Sequence, residues 1–163
     1  MKDKFIVKSK TPAGFPGSPG ISKKDFEYGL FANEDIEVAE IVVKLSGEWL
    51  TEPNRASIQI GERHIDSAIG GYVNHHCEPN CVVLCSLTDL TLTERLVPLI
   101  VKITGSLTSM IISNPQPVLV AIKPILEGEE ITFDYNTTES SLANPFKCDC
   151  HGKWIEGNEV LFL

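Results

Sequence analysis

NHHCEPN at residues 74–80 and GEEITFDY at residues 128–135 are the two stretches on which the reading of this chain turns. The first, with Cys81 behind it, gathers His75, His76, Cys77 and Cys81 within a few positions, an unusual density of ligand-capable side chains. It reads as a metal site, a nucleophile or a backbone shape. Neighbouring metal ligands usually follow a spacing such as C-x2-C, which lets both side chains reach one ion. The spacing of Cys77 and Cys81 is acceptable but weak as a signal, and free buried cysteine is commoner than a catalytic thiol. In the second stretch Glu129 and Glu130 are strand neighbours that face opposite sides, so they cannot converge as an acid–base pair. They read as turn and surface residues.

Composition narrows the class. A chain of 163 residues, 42% hydrophobic and 22% charged, is long enough for one self-supporting core. No apolar run approaches a membrane span, and MKDKFIVKSK at the start lacks the apolar region of a signal peptide. The expectation is an intracellular protein, nuclear or cytoplasmic, with no membrane partner. Five cysteines, an odd number in two groups, suit a reducing compartment better than a disulfide framework. A net charge of −8 argues against a nucleic-acid partner and for a neutral or basic one, such as a lysine-containing peptide.

Along the chain, short β-branched or aromatic runs end in turn residues: FIVK at 5–8, YGLFA at 28–32, EIVVKLSG at 40–47, SIQIG at 57–61, VLVAIKPI at 118–125 and EEITFDY at 129–135. TPAGFPGSPG at 11–20 can only be a loop or arm. Residues 91–113 are ambiguous, because Pro98 and Gly105 interrupt either regular pattern, and split into two strands or a strand and a short helix. The fold class is mainly β.

Together the motifs resemble those of SET-domain protein lysine methyltransferases. Residues 74–80 resemble the family's N-H-S-C-x-P-N, residues 128–135 its G-E-E-L-T-F-D-Y, residues 29–32 the end of its G-x-G-L-F-A turn, and Cys148-Asp149-Cys150 the start of its post-SET C-x-C-x4-C. The resemblance covers roughly residues 25–87 and 118–157. It implies small sheets around a pseudoknot active site, with residues 1–24 as an N-terminal strand and loop. A SET domain would span 25–145, with an insertion at about 88–117, and a post-SET-like segment would occupy 146–163.

The resemblance further implies an S-adenosylmethionine-dependent enzyme acting on a lysine-containing protein or peptide. Tyr135 and Phe133 are its catalytic candidates, Tyr135 orienting the amine and Phe133 setting how many methyl groups fit. Gly29, Leu30, Tyr72, Asn74, His75 and Tyr135 are the cofactor-binding candidates, His75 through its backbone, with Phe146 and Trp154 as an apolar lid. His76, where the family has serine, is a solvent or packing residue. The family's zinc cysteines correspond to Cys77, Cys148 and Cys150, but Ile155 stands at the fourth position, so little or no zinc is expected. Other departures are Glu27 for the first glycine of G-x-G, Ala39 for a turn glycine, and Gly70 and Gly71 where larger residues often precede N-H-x-C. Glu27 and the broken cysteine set motivate the alternative of a catalytically weak or inactive SET module that binds a peptide or partner protein.

Overall fold

The computed structural model describes residues 3–10, 28–84 and 116–158. Glu27, the 11–20 arm, Cys85 and the ambiguous 91–113 stretch lie outside them. The strands in chain order are β1 (Phe5–Ser9), β2 (Tyr28–Ala32), β3 (Ile41–Lys44), β4 (Gly47–Leu50), β5 (Ser57–Ile60), β6 (Arg63–Ser67), β7 (Asn74–His75), β8 (Cys81–Leu84), β9 (Val118–Ala121), β10 (Glu130–Phe133), β11 (Phe146–Lys147) and β12 (Trp154–Ile155). Two 3-10 turns, Gly70–Tyr72 and Tyr135–Thr137, are the helical elements among the described residues.

The strands form small sheets in the orders β1-β2-β10-β7, β3-β9-β8 and β4-β6-β5, with β11 and β12 as a separate hairpin. All named pairings are antiparallel except that of β7 with β10. The core between the sheets is aliphatic, with Leu30, Leu45, Ile65, Leu119, Ile131 and Phe133 fully buried. Each such side chain contributes about 1.5–3 kcal/mol by leaving water.

Several boundaries differ from the sequence reading for local reasons. The 118–125 run leaves its sheet after Ala121, because Pro124 has no N–H to donate, and Ile125 instead makes an isolated bridge with Ile36. The 129–135 run stops at Phe133: Asp134 Oδ1 accepts the Asn136 N–H at 3.0 Å and turns the chain into the 3-10 turn that carries Tyr135. Strand β6 has no apolar alternation in its sequence, yet His64, Ile65 and Ser67 are all buried.

The unusual residues before N-H-x-C also find their reason. A Cβ at Gly71 would sit 2.8 Å from Ala56 Cβ, and one at Gly70 about 3.0 Å from Ile58 and Ser67. Bare backbone there lets the turn dock on β5 and β6. Ala39 has φ of 75°, the left-handed conformation that its replaced glycine adopts without strain.

Candidate functional site

Parallel pairing sets Asn74 beside Thr132 and His75 beside Phe133, and the His76 N–H continues the ladder to the Phe133 carbonyl at 3.1 Å. Asn80 closes the other end, its Oδ1 accepting the Thr132 N–H at 2.9 Å and its Nδ2 donating to the Glu130 carbonyl at 2.8 Å. The 74–80 segment is thus held along β10 on one side, while the β11–β12 hairpin approaches Cys77 from the other through Cys148 and Cys150. This is the pseudoknot. It joins the two motifs at one place.

Tyr135 stands where they meet. Its ring centroid lies 4.8 Å from Phe133, 5.4 Å from His75 and 6.0 Å from Phe146. Its hydroxyl donates to the Val73 carbonyl at 2.8 Å, and its N–H donates to His75 Nδ1 at 3.2 Å. Burial, reinforced by the charges of Glu139 and Glu130, pushes the phenol well above its ordinary range, so Tyr135 stays neutral. Burial likewise depresses the His75 imidazole, against the opposing pull of Asp134.

Beside this aromatic group lies an acceptor-rich patch. Asn74 Nδ2 donates to the Tyr28 carbonyl at 2.9 Å and to Glu130 Oε1 at 2.7 Å. Glu130, expected to be a surface residue, is therefore half-buried and braces Asn74; Glu129 keeps its turn role, accepting the Leu126 N–H at 2.8 Å. Lys10 Nζ stands 3.1 Å from the same Glu130 Oε1, so this carboxylate accepts an ammonium. A Cβ at Gly29 would lie 2.7 Å from Glu130 Oε1 and 3.0 Å from the Phe31 ring, so a side chain there would push the Glu130 carboxylate aside. Tyr28 and Tyr72 meet edge to face at 6.2 Å and are both substantially exposed.

Not every expected residue joins the group. Leu30 is fully buried in the core, so only its backbone is available to a ligand. Phe146 faces the aromatic cluster, 5.9 Å from His75. Trp154, offset by one residue from Ile155, the residue in register with Phe146, is 60% exposed, and its Nε1 donates to Glu156.

The cysteines converge more closely than their spacing suggested. Cys77 Sγ lies 3.8 Å from Cys148 Sγ, and the Cys77 N–H points to Cys150 Sγ at 3.5 Å. The corner that Ile155 leaves open is met by His75, whose Nε2 is 3.3 Å from Cys77 Sγ; all four ligand atoms lie within 4.8 Å of one another. The alternatives do not reach: Cys81 is buried under the sheet, and His151 faces Glu78 and His76. Burial, reinforced by the two neighbouring thiols, pushes Cys77 up to about 12. For Cys148, burial is outweighed by N–H donors from His151 and Lys153 and by the other two thiols, bringing it down to about 7. The motif alone points to the backbone of His75; the signal for its ring is the His-x-Cys alternation, which puts residues 75 and 77 on one face of an extended chain.

The family model for the SET domain matches residues 27–136. The chain belongs to the SET-domain family. Human histone-lysine N-methyltransferase 2B is 26% identical over 145 residues, covering 77% of this chain but only 4% of that much longer protein. Among solved structures, KRYPTONITE with methylated CHH DNA, an H3(1–15) peptide and S-adenosylhomocysteine aligns with a TM-score of 0.51 at 21% identity. KRYPTONITE with methylated CHG DNA and S-adenosylhomocysteine aligns at 0.50. Each alignment covers 79% of this chain and 26% of the other chain, and the likeness is one of fold. The expectation of no nucleic-acid partner rests on net charge alone, and complexes that hold DNA lend it no support.

Among the described residues, no helix is long and apolar enough to cross a membrane.

Proposed function

We propose that this SET domain transfers methyl groups from S-adenosylmethionine to a lysine amine of a protein substrate. The observation that carries the reading is the convergence of Tyr135, Phe133, His75 and Phe146 where β7 meets β10. When bound, the cofactor supplies an electrophilic methyl group on a cationic sulfonium and carries an ammonium at its amino-acid end. The patch of the Tyr28 carbonyl, Asn74 and the Glu130 carboxylate suits a cation, as its contact with Lys10 illustrates. Phe146 offers an apolar face for the adenine.

What the protein contributes is alignment. A lysine, ordinarily protonated with a pKa near ~10.4, enters an aromatic, desolvating wall that favours its neutral form. Tyr135 keeps its own proton on the Val73 carbonyl, so its oxygen presents lone pairs to the amine N–H. That fixes the nitrogen for in-line attack at roughly 3–3.5 Å. The amine lone pair forms the new N–C bond, the C–S electrons return to sulfur, and the amine proton passes to water. Phe133 forms the wall beneath Tyr135 and offers no hydrogen bond to a blocking water.

Incubating the purified protein with methyl-labelled S-adenosylmethionine and a histone mixture or lysate, followed by mass spectrometry, should reveal methylated lysine. Cofactor binding by calorimetry without any transfer would instead favour a peptide-binding module, and absence of both would overturn the proposal.

A further inference from the structure

Three thiols and an imidazole stand together among the described residues with no disulfide between them. Edges of a tetrahedral zinc site with thiolate and imidazole ligands measure about 3.8 Å between sulfurs and about 3.6 Å between sulfur and nitrogen. The Cys77–Cys148 separation of 3.8 Å and the His75–Cys77 separation of 3.3 Å already lie close to those values. Two sulfurs also receive backbone N–H groups, Cys150 from Cys77 at 3.5 Å and Cys148 from Lys153 at 3.3 Å. The chain supplies these groups from two loops: the extended 75–77 segment and the turn at 148–150, closed by the Gly152 N–H to the Cys148 carbonyl.

We infer that this protein holds one zinc ion through Cys77, Cys148, Cys150 and Nε2 of His75, the histidine replacing the cysteine absent at position 155. Ile155 cannot serve, because its hydrocarbon side chain carries no donor atom; it is buried opposite Phe146. The His75 ring is already oriented for ligation, with Asp134 Oδ1 standing 3.5 Å from Nδ1, the arrangement in which a carboxylate receives the outer proton of a metal-bound imidazole. The same Nδ1 accepts the Tyr135 N–H at 3.2 Å when the ring carries its proton on Nε2. Metal on Nε2 moves that proton to Nδ1, where it displaces the Tyr135 N–H. Zinc occupancy is thus felt at Tyr135 through a single ring. The coupling, though not the metal site itself, rests on the proposed role of Tyr135.

The test uses metal alone and no methyl transfer. Full-length protein purified under reducing conditions should contain one zinc per chain by elemental analysis, and its cobalt(II)-substituted form should show the absorption of a tetrahedral three-thiolate site. His75→Ala should lower zinc affinity more than the roughly 10–100-fold that outer-sphere partners command, measured against a chromophoric chelator. Because that variant removes a buried ring, His75→Cys is the companion: it should retain one zinc and raise the cobalt–thiolate absorption by about one third, as four sulfurs replace three. Wild-type protein without zinc, with Cys77 and Cys148 disulfide-bonded on mild oxidation, would overturn the inference. So would a His75→Ala affinity within two-fold of wild type.

Discussion

Asn80 and Thr132 are joined across 52 residues of sequence, Asn80 Oδ1 accepting the Thr132 N–H at 2.9 Å and the Thr132 hydroxyl at 3.5 Å. With its Nδ2 on the Glu130 carbonyl, Asn80 extends the bonding of β10 beyond its two-residue pairing with β7. Asn80→Ala leaves two half-buried backbone groups unpaired and should cost about 2–4 kcal/mol in chemical denaturation. Asn80→Asp keeps the acceptor and loses the donor, so it should cost roughly half as much.

Tyr135→Phe should reduce methyl transfer on the order of 100-fold or more while leaving cofactor affinity within a few-fold. The Val73 carbonyl also loses its donor, so stability should fall by about 1–2 kcal/mol. Kinetics and calorimetry on the same preparation separate the effects: parallel loss of binding and turnover would make Tyr135 a scaffold residue.

Phe133 is 2% exposed and packed against Tyr135, so its bare ring should allow di- or trimethyl-lysine products. Phe133→Tyr adds a hydroxyl to that wall and should shift the product toward monomethyl-lysine. Mass spectrometry at full turnover checks the distribution; monomethyl-lysine alone from both proteins would place the limit elsewhere.

Ala39 is strained by its φ of 75°. The left-handed conformation costs an L-residue roughly 1–2 kcal/mol, against which glycine loses about 0.5–1 kcal/mol more backbone entropy on folding. Ala39→Gly should therefore stabilise the protein by about 0.5–1 kcal/mol, raising Tm by roughly 1–4 °C. A lower Tm would show that the missing methyl group, buried in the turn, matters more than the strain.

Glu139 and His64 are buried 3.9 Å apart, yet they do not behave as an ion pair. Burial raises the Glu139 carboxyl, despite bonds from the Gln59 N–H and the Thr138 hydroxyl, and burial lowers His64, whose Nδ1 finds no hydrogen-bond partner. A raised carboxyl favours folding most while protonated, below its unfolded value of about 4.5, and that contribution disappears as pH rises through the folded value. Glu139→Gln keeps the acceptor for Gln59 and can offer an N–H toward His64. Its stability relative to wild type should therefore increase as pH rises above about 4.5. Denaturation at pH 4 and pH 8 checks this, and an advantage that shrinks at pH 8 would reverse the assignment.

Much of the architecture lies in short-range chemistry. Alternation and turn residues place the 28–32 and 57–60 strands where the structure has them, because strand formation there depends on faces and punctuation that neighbouring residues carry. The two motifs, in order, were enough for the family. What the chain could not disclose locally is direction. Strand β6 is written in polar residues and becomes a strand only because β4 and β5 flank it. Glu130 was a surface residue until Asn74 and Lys10 were brought to it. His75 gives the sharpest case: its place in the motif is visible in seven letters, but its ring meets Cys148 and Cys150 from a distant segment of the chain. Which way that ring turns depends on the parallel pairing of β7 with β10, a long-range contact whose side-chain consequences no local window of sequence contains.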